Sequence, residues 1–141
     1  MAVTVFGKIL NGEIPCHRIY EDAYVLAFLD VAPLSRGHML VIPKEPATRL
    51  DALSDDAAAA IGRVLPRLCR ALAKVTGCPD YNVLQNNGAA AHQAMNHVHF
   101  HIIPKPSAEL GLGIRWDSET LDASDAPGLA SAIAAELENE S

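Results

Sequence analysis

Residues 97–103, His97-Val98-His99-Phe100-His101-Ile102-Ile103, alternate histidine with apolar side chains and then meet Pro104 and Pro106. A period of two is that of a β-strand buried on one face. Proline donates nothing to a sheet ladder, so the prolines end the strand. The chain must therefore fold around a sheet in which Val98, Phe100 and Ile102 point into a core. His97, His99 and His101 line the opposite face. A single histidine on a strand is ordinarily structural, whereas three in file make little sense as packing and good sense as chemistry.

Two chemistries suit such a row. At about 3.3 Å per residue, His97 and His101 are roughly 13 Å apart along the strand, too far for one ion with zinc–nitrogen bonds of about 2 Å. A two-histidine metal site completed by a distant ligand is the minority reading. The other reading is nucleophilic catalysis at phosphorus. A neutral imidazole attacks, a second donates to phosphate oxygens, and both protonation states lie near neutral pH.

At 141 residues the chain is long enough to bury a core of its own. A net charge of −6 disfavours a nucleic-acid backbone binder, which needs a basic patch. An anionic substrate must then be held by local donors. Cys16, Cys69 and Cys78 are odd in number and lack C-x-x-C spacing, which reads as reduced thiols in a cytosolic setting. The segment Met1 to Lys8 has no signal pattern, and no apolar run is long enough to span a membrane. The expected location is the cytoplasm, with the nucleus as a second compartment.

Along the chain, Val5 to Leu10 reads as a short helix between Thr4 and Asn11-Gly12. Strands follow at Arg18 to Tyr20, Tyr24 to Leu29 and His38 to Ile42, the last ended by Pro43. Leu53 to Thr76 is the main helix, capped by Ser54 and closed by Gly77, with an apolar stripe of Ala58, Ile61, Leu65, Leu68, Leu72 and Val75. Pro66 inside it predicts a kink or break. Tyr81 to Gln85 is a further strand. Asn86-Asn87-Gly88 and an alanine loop then lead to the histidine strand. Asp117 to Ser124 reads as loop and Ala126 to Glu138 as a terminal helix. The expected class is α+β: a mostly antiparallel five-stranded sheet, one long helix, and short helices at the two ends.

H-x-H-x-H followed by two apolar residues resembles the motif of the histidine triad (HIT) nucleotide hydrolases and transferases. The chain looks closest to the Hint branch, the nucleoside 5′-phosphoramidate hydrolases. Val5-Phe6-Gly7-Lys8-Ile9-Leu10 with Glu13-Ile14-Pro15, Phe28-Leu29-Asp30-Val31 and His38 through Lys44 resemble that branch's N-terminal segment, nucleoside-pocket strand and central strand. Asn86-Asn87-Gly88 and His92-Gln93 match the stretch bordering the phosphate. The resemblance implies a HIT domain over residues 1–109, a C-terminal extension over 110–141, and a homodimer in which Trp116 reaches the partner subunit.

By resemblance, His99 attacks the α-phosphorus, with its far ring nitrogen held by a backbone carbonyl. His101 donates to the phosphate, while His97 and His38 support the nucleophile from behind. Asn86 and Gln93 border the phosphate or leaving group. Asp30 accepts from the ribose hydroxyls, and Val5, Phe6, Ile9, Ile14, Phe28 and Val31 form an apolar slot for a purine. Each residue also has a structural alternative: core packing for the apolar six, a strand-end turn for Asp30, a satisfied core histidine for His38. The implied reaction turns AMP or GMP conjugates of the phosphoramidate class into nucleoside monophosphate and amine. It passes through a nucleotidyl-histidine and needs no cofactor. The rivals are a dinucleoside polyphosphate hydrolase of the Fhit type, a non-catalytic nucleotide-binding or scaffold protein, and the metal protein already named.

Two departures from the family pattern stand out. A small hydroxyl residue usually lies three positions before the triad, near the leaving group, and here it is Ala94. Some HIT proteins also hold a zinc with two N-terminal cysteines and a histidine after the central strand. The matching positions are Thr4, Gly7 and Pro46, so no metal is expected.

Overall fold

The computed structural model describes residues 4–140; Met1 to Val3 of the N-terminal stretch considered above lie outside the described residues. Helix α1 spans Val5–Leu10. The Thr4 hydroxyl accepts from the Gly7 N–H at 3.0 Å, and Asn11 caps the other end. Five strands follow, β1 Arg18–Glu21, β2 Val25–Leu29, β3 Met39–Pro43, β4 Tyr81–Gln85 and β5 Phe100–Pro104. They form one antiparallel sheet in the order β1-β2-β3-β5-β4. Helix α2, Asp55–Thr76, crosses between β3 and β4, and α3, Ala126–Glu138, ends the chain. The α+β class expected from the sequence is the one found.

Strand alternation divides the core in two. Val25, Ala27, Met39, Val41 and Ile102 face α2 and meet Ala60, Ile61, Val64, Leu68 and Leu72. Leu26, Phe28, Leu40 and Ile42 face the other way and meet Phe6 of α1. Continuing the same alternation puts Asp30, His38, His99 and His101 on the α1 side. The face that α2 leaves open is therefore the face that carries these histidines.

Helix α2 departs from its expected form at two points. Of the kink or break expected at Pro66, no break occurs, and the helix is continuous there. An interior proline costs about 3 kcal/mol. Ile61 and Val64 before it and Leu68 and Leu72 after it are all buried on the sheet, and each contributes about 1.5–3 kcal/mol. Packing on both sides outweighs the missing hydrogen bond. The buried stripe also includes Ala57, Ala60 and Val64 rather than Ala58, which lies one residue round the helix and is exposed. Val75 at the helix end is 75% exposed.

The histidine strand begins later than its alternation suggests, at Phe100 rather than His97. The Val98 N–H donates to the Ala47 carbonyl at 2.8 Å, and the His97 ring donates to the Pro43 carbonyl at 2.8 Å. The turn after β3 and a side chain thus take the places where ladder bonds would continue.

Candidate active site

The four histidines singled out from the sequence come together beside α1. His38, His97 and His99 are buried and His101 is half-buried. The His99 and His101 rings lie edge to face with centroids 5.0 Å apart, and His38 and His101 are 5.1 Å apart. Phe6 presses edge-on against His99 at 5.0 Å and His97 at 6.2 Å. A helix of six residues thereby closes the back of the site.

Backbone groups set the proton positions of these rings. The His99 Nδ1 lies 2.7 Å from the His97 carbonyl. A carbonyl only accepts, so Nδ1 carries the hydrogen and Nε2 keeps a free lone pair. The same logic puts the His97 hydrogen on Nε2, which donates to Pro43. In His38 the Leu34 N–H donates to Nδ1 at 3.0 Å, so the ring hydrogen sits on Nε2. That Nε2 is 2.9 Å from Nδ1 of His101, which must accept and carry its own hydrogen on Nε2. The result is a lone pair on His99 beside an N–H on His101, an arrangement able to combine attack with hydrogen-bond donation.

Burial keeps the supporting rings neutral. It pushes the His38 and His97 pKa values below the ordinary imidazole range. His101 is pushed down to about 4 by burial first, then by His99 and His38, with Asp30 opposing. Its ring is therefore neutral near pH 7, with the N–H on Nε2.

Asp30 ends β2 half-buried. Its Oδ1 accepts from the Ala32 N–H at 2.9 Å, while Oδ2 stands 3.4 Å from His38 Nε2. Phe6 and Phe28 are fully packed in the α1-side core, Ile9 and Ile14 are half-buried, and Val5 and Val31 are exposed. The apolar set is thus graded from core to open wall. Asn86 leaves β4 level with His99, since Gln85 pairs with Phe100, and its Nδ2 lies 3.5 Å from the His92 carbonyl. Gln93, expected at the phosphate, spends its carboxamide on the loop. Its Oε1 accepts from Gly88 N–H, and its Nε2 donates to the carbonyls of Thr48 and Met95. It shapes the loop with the same atoms that a ligand contact would use. Ala94 is exposed, and Trp116 is 79% exposed.

Sequence reasoning missed Leu34 and Pro43, which act through main-chain atoms that no side-chain motif can mark. The nearest signal is Gly37, at φ 96°, where a Cβ would meet the Leu72 side chain at 2.8 Å. Only glycine lets the loop carrying Leu34 lie this close to α2.

The two candidate metal positions differ in their donors. Thr4, Gly7 and Pro46 do come together around a cavity of about 720 Å³ behind His97, but none offers a thiolate or imidazole. Ligand atoms of Asp30, His38 and His101 lie within 4.8 Å of one another. For His38 to offer a lone pair there, its hydrogen would have to move to Nδ1, where the Leu34 N–H already points.

A sequence model of the HIT domain matches residues 11–108. The adenosine 5′-monophosphoramidase hnt1 of Schizosaccharomyces pombe is 49% identical over 133 residues, covering 94% of this chain and 97% of that protein. The adenylylsulfatase HINT3 of Arabidopsis thaliana is 43% identical over 117 residues, 83% of this chain and 57% of that protein. The crystal structure of the histidine triad nucleotide-binding protein from Candida albicans superposes with a TM-score of 0.88 at 38% identity, covering 98% of this chain and 99% of that one.

Proposed function

The chain belongs to the HIT domain family, and from that premise we propose that it is a nucleotide hydrolase cleaving purine nucleoside 5′-phosphoramidates, with His99 as nucleophile. The observation that carries this reading is the 2.7 Å bond from His99 Nδ1 to the His97 carbonyl, which fixes the lone pair on Nε2. The naming of the Schizosaccharomyces pombe relative as a phosphoramidase supports the substrate class.

His99 Nε2 attacks the α-phosphorus, and a nucleotidyl-histidine forms as the P–N bond to the amine breaks. The electron pair leaves with the amine, which takes a proton from water because Ala94 supplies none. His101 Nε2–H donates to a non-bridging oxygen as its charge grows. Water then attacks phosphorus, the bond to His99 breaks, and the water's proton passes to solvent. One P–N bond is exchanged for another in the first step, so that step is close to balanced. Asp30 accepts from the ribose hydroxyls, and Phe6, Ile9, Ile14 and Phe28 with Val5 and Val31 hold the base. Asn86 borders the leaving group. On this reading the enzyme works in the cytoplasm as a homodimer.

A second reading rests on Ala94. A sulfate leaving group departs as a stable dianion and needs no proton, so adenosine 5′-phosphosulfate suits a site that lacks the hydroxyl. The relative named adenylylsulfatase is in keeping with it.

Both readings share one test, turnover of adenosine 5′-phosphoramidate, adenosine 5′-phosphosulfate and a diadenosine polyphosphate by the wild type and His99→Ala. Amidate cleavage that vanishes in the variant is expected. A variant that still turns over removes His99 as nucleophile, and preference for the dinucleotide moves the protein to the Fhit-like class.

A further inference from the structure

Arg49 lies between two residues tied to the loop that flanks the histidines. The Thr48 carbonyl accepts from Gln93 Nε2 at 2.6 Å, and the Leu50 N–H donates to Asn87 Oδ1 at 2.8 Å. Residues 86–93 leave β4 where Gln85 pairs with Phe100, so the loop starts level with His99. The Arg49 guanidinium rests over this loop at Gly88. A Cβ there would lie 3.5 Å from Nη1 and 3.8 Å from Cζ, and Gly88 has a φ of 91°. These are ordinary contact distances, so the guanidinium lies directly against the loop, and the positive φ is what favours glycine there.

Little else engages this cation. Its Nε is 3.6 Å from Asp51 Oδ1, with the two side chains 55% and 82% exposed. An exposed, loose pair of this kind is easily redirected. The chain as a whole is negative, by −6, so it gives an anion no long-range attraction. A charge placed on this flank must therefore act locally. The same loop leads through Gln93 to Ala94, which stands at the family's leaving-group position.

We propose that Arg49 is a specificity residue for the leaving group, favouring substrates whose departing group carries a carboxylate, sulfate or phosphate. The guanidinium fork matches two oxygens of such a group. This rests on the reading of His99 as the nucleophile at the α-phosphorus, which sets the leaving group on the opposite side of phosphorus.

A matched pair of substrates tests it: AMP joined through nitrogen to β-alanine, and AMP joined to β-alaninamide, which differ only by the terminal charge. The readout is the ratio of kcat/KM for the acid over the amide in wild type, Arg49→Lys and Arg49→Gln. The affinity ratio on a His99→Ala background is measured beside it. Loss of a charge-assisted contact should lower both ratios about tenfold in Arg49→Gln, with Arg49→Lys in between. Ratios that stay the same in all three proteins overturn the role of Arg49 and leave the nucleophile assignment standing. Turnover retained in His99→Ala overturns the assignment itself, while the affinity ratio still reports on Arg49.

Discussion

The proton on His38 Nε2 has two acceptors within reach, His101 Nδ1 at 2.9 Å and Asp30 Oδ2 at 3.4 Å. The shorter contact takes it, and that choice leaves His101 with its own N–H free for the substrate. His38→Phe removes the donor and frees His101 to turn over. The kcat for amidate cleavage should fall roughly tenfold to a hundredfold with KM little changed, as steady-state kinetics will read. An unchanged kcat would mean that His101 is held by something else. The same burial makes stability depend on pH. The folded pKa of His101 is about 4 against an ordinary 6.5, and those of His38 and His97 are also lowered. As pH falls below about 6.5, the unfolded chain takes up protons at these rings while the folded chain does not. Stability is thus full above the unfolded value and declines as pH drops toward 4, where His101 takes up its proton in the folded chain as well. The urea midpoint should be lower at pH 5 than at pH 7.5, and His101→Asn should flatten the difference.

Helix α2 is where local signals and packing can be weighed against each other. Its ends were legible because Ser54 and Gly77 act through their immediate neighbours. The Ser54 hydroxyl accepts from Ala57 N–H, and Gly77 takes the left-handed conformation at φ 69°. Its middle was less so, because whether Pro66 breaks the helix depends on what Ile61, Val64, Leu68 and Leu72 bury on either side. Pro66 itself is exposed and makes no core contact. Pro66→Ala should therefore stabilise the fold by about 1–3 kcal/mol with activity unchanged. Leu68→Ala, inside the α2-side core, should cost about 2–5 kcal/mol. Denaturant titrations decide both, and a destabilised Pro66→Ala would show that the proline fixes a bend that the sheet needs. The site follows the same pattern. Alternation along 97–101 put three imidazoles on one face, and the fold has them there. The resemblance implied the carbonyl bond to His99, but which nitrogen bears the proton in His38, His97 and His101 was illegible, since it is set by the Leu34 N–H, the Pro43 carbonyl and the His38 ring from distant positions. The loop bonds of Gln93 were illegible for a related reason. A carboxamide suits a phosphate or a loop equally well, and only the fold brings Thr48 and Gly88 within its reach.

At the scale of the whole molecule, the apolar surface left beyond β5 is hard to reconcile with a chain that works alone. No residue of α3 is buried, although Leu129, Ile133 and Leu137 recur every four residues along it at 50%, 62% and 69% exposure. Trp116 and Leu121 in the preceding segment are 79% and 74% exposed. A helix of 13 residues is marginal in water without an apolar surface to pack against. Its persistence therefore calls for a covering surface, and among the described residues this chain supplies none. The homodimer proposed above would supply that surface from a second copy. Sedimentation equilibrium should give twice the chain mass at micromolar concentration. Replacing Leu129, Ile133 and Leu137 together by serine should weaken association and lower helicity in parallel, because the helix and its contact form together. A monomer at every concentration, with the helical signal intact in both proteins, would show that α3 stands without a partner.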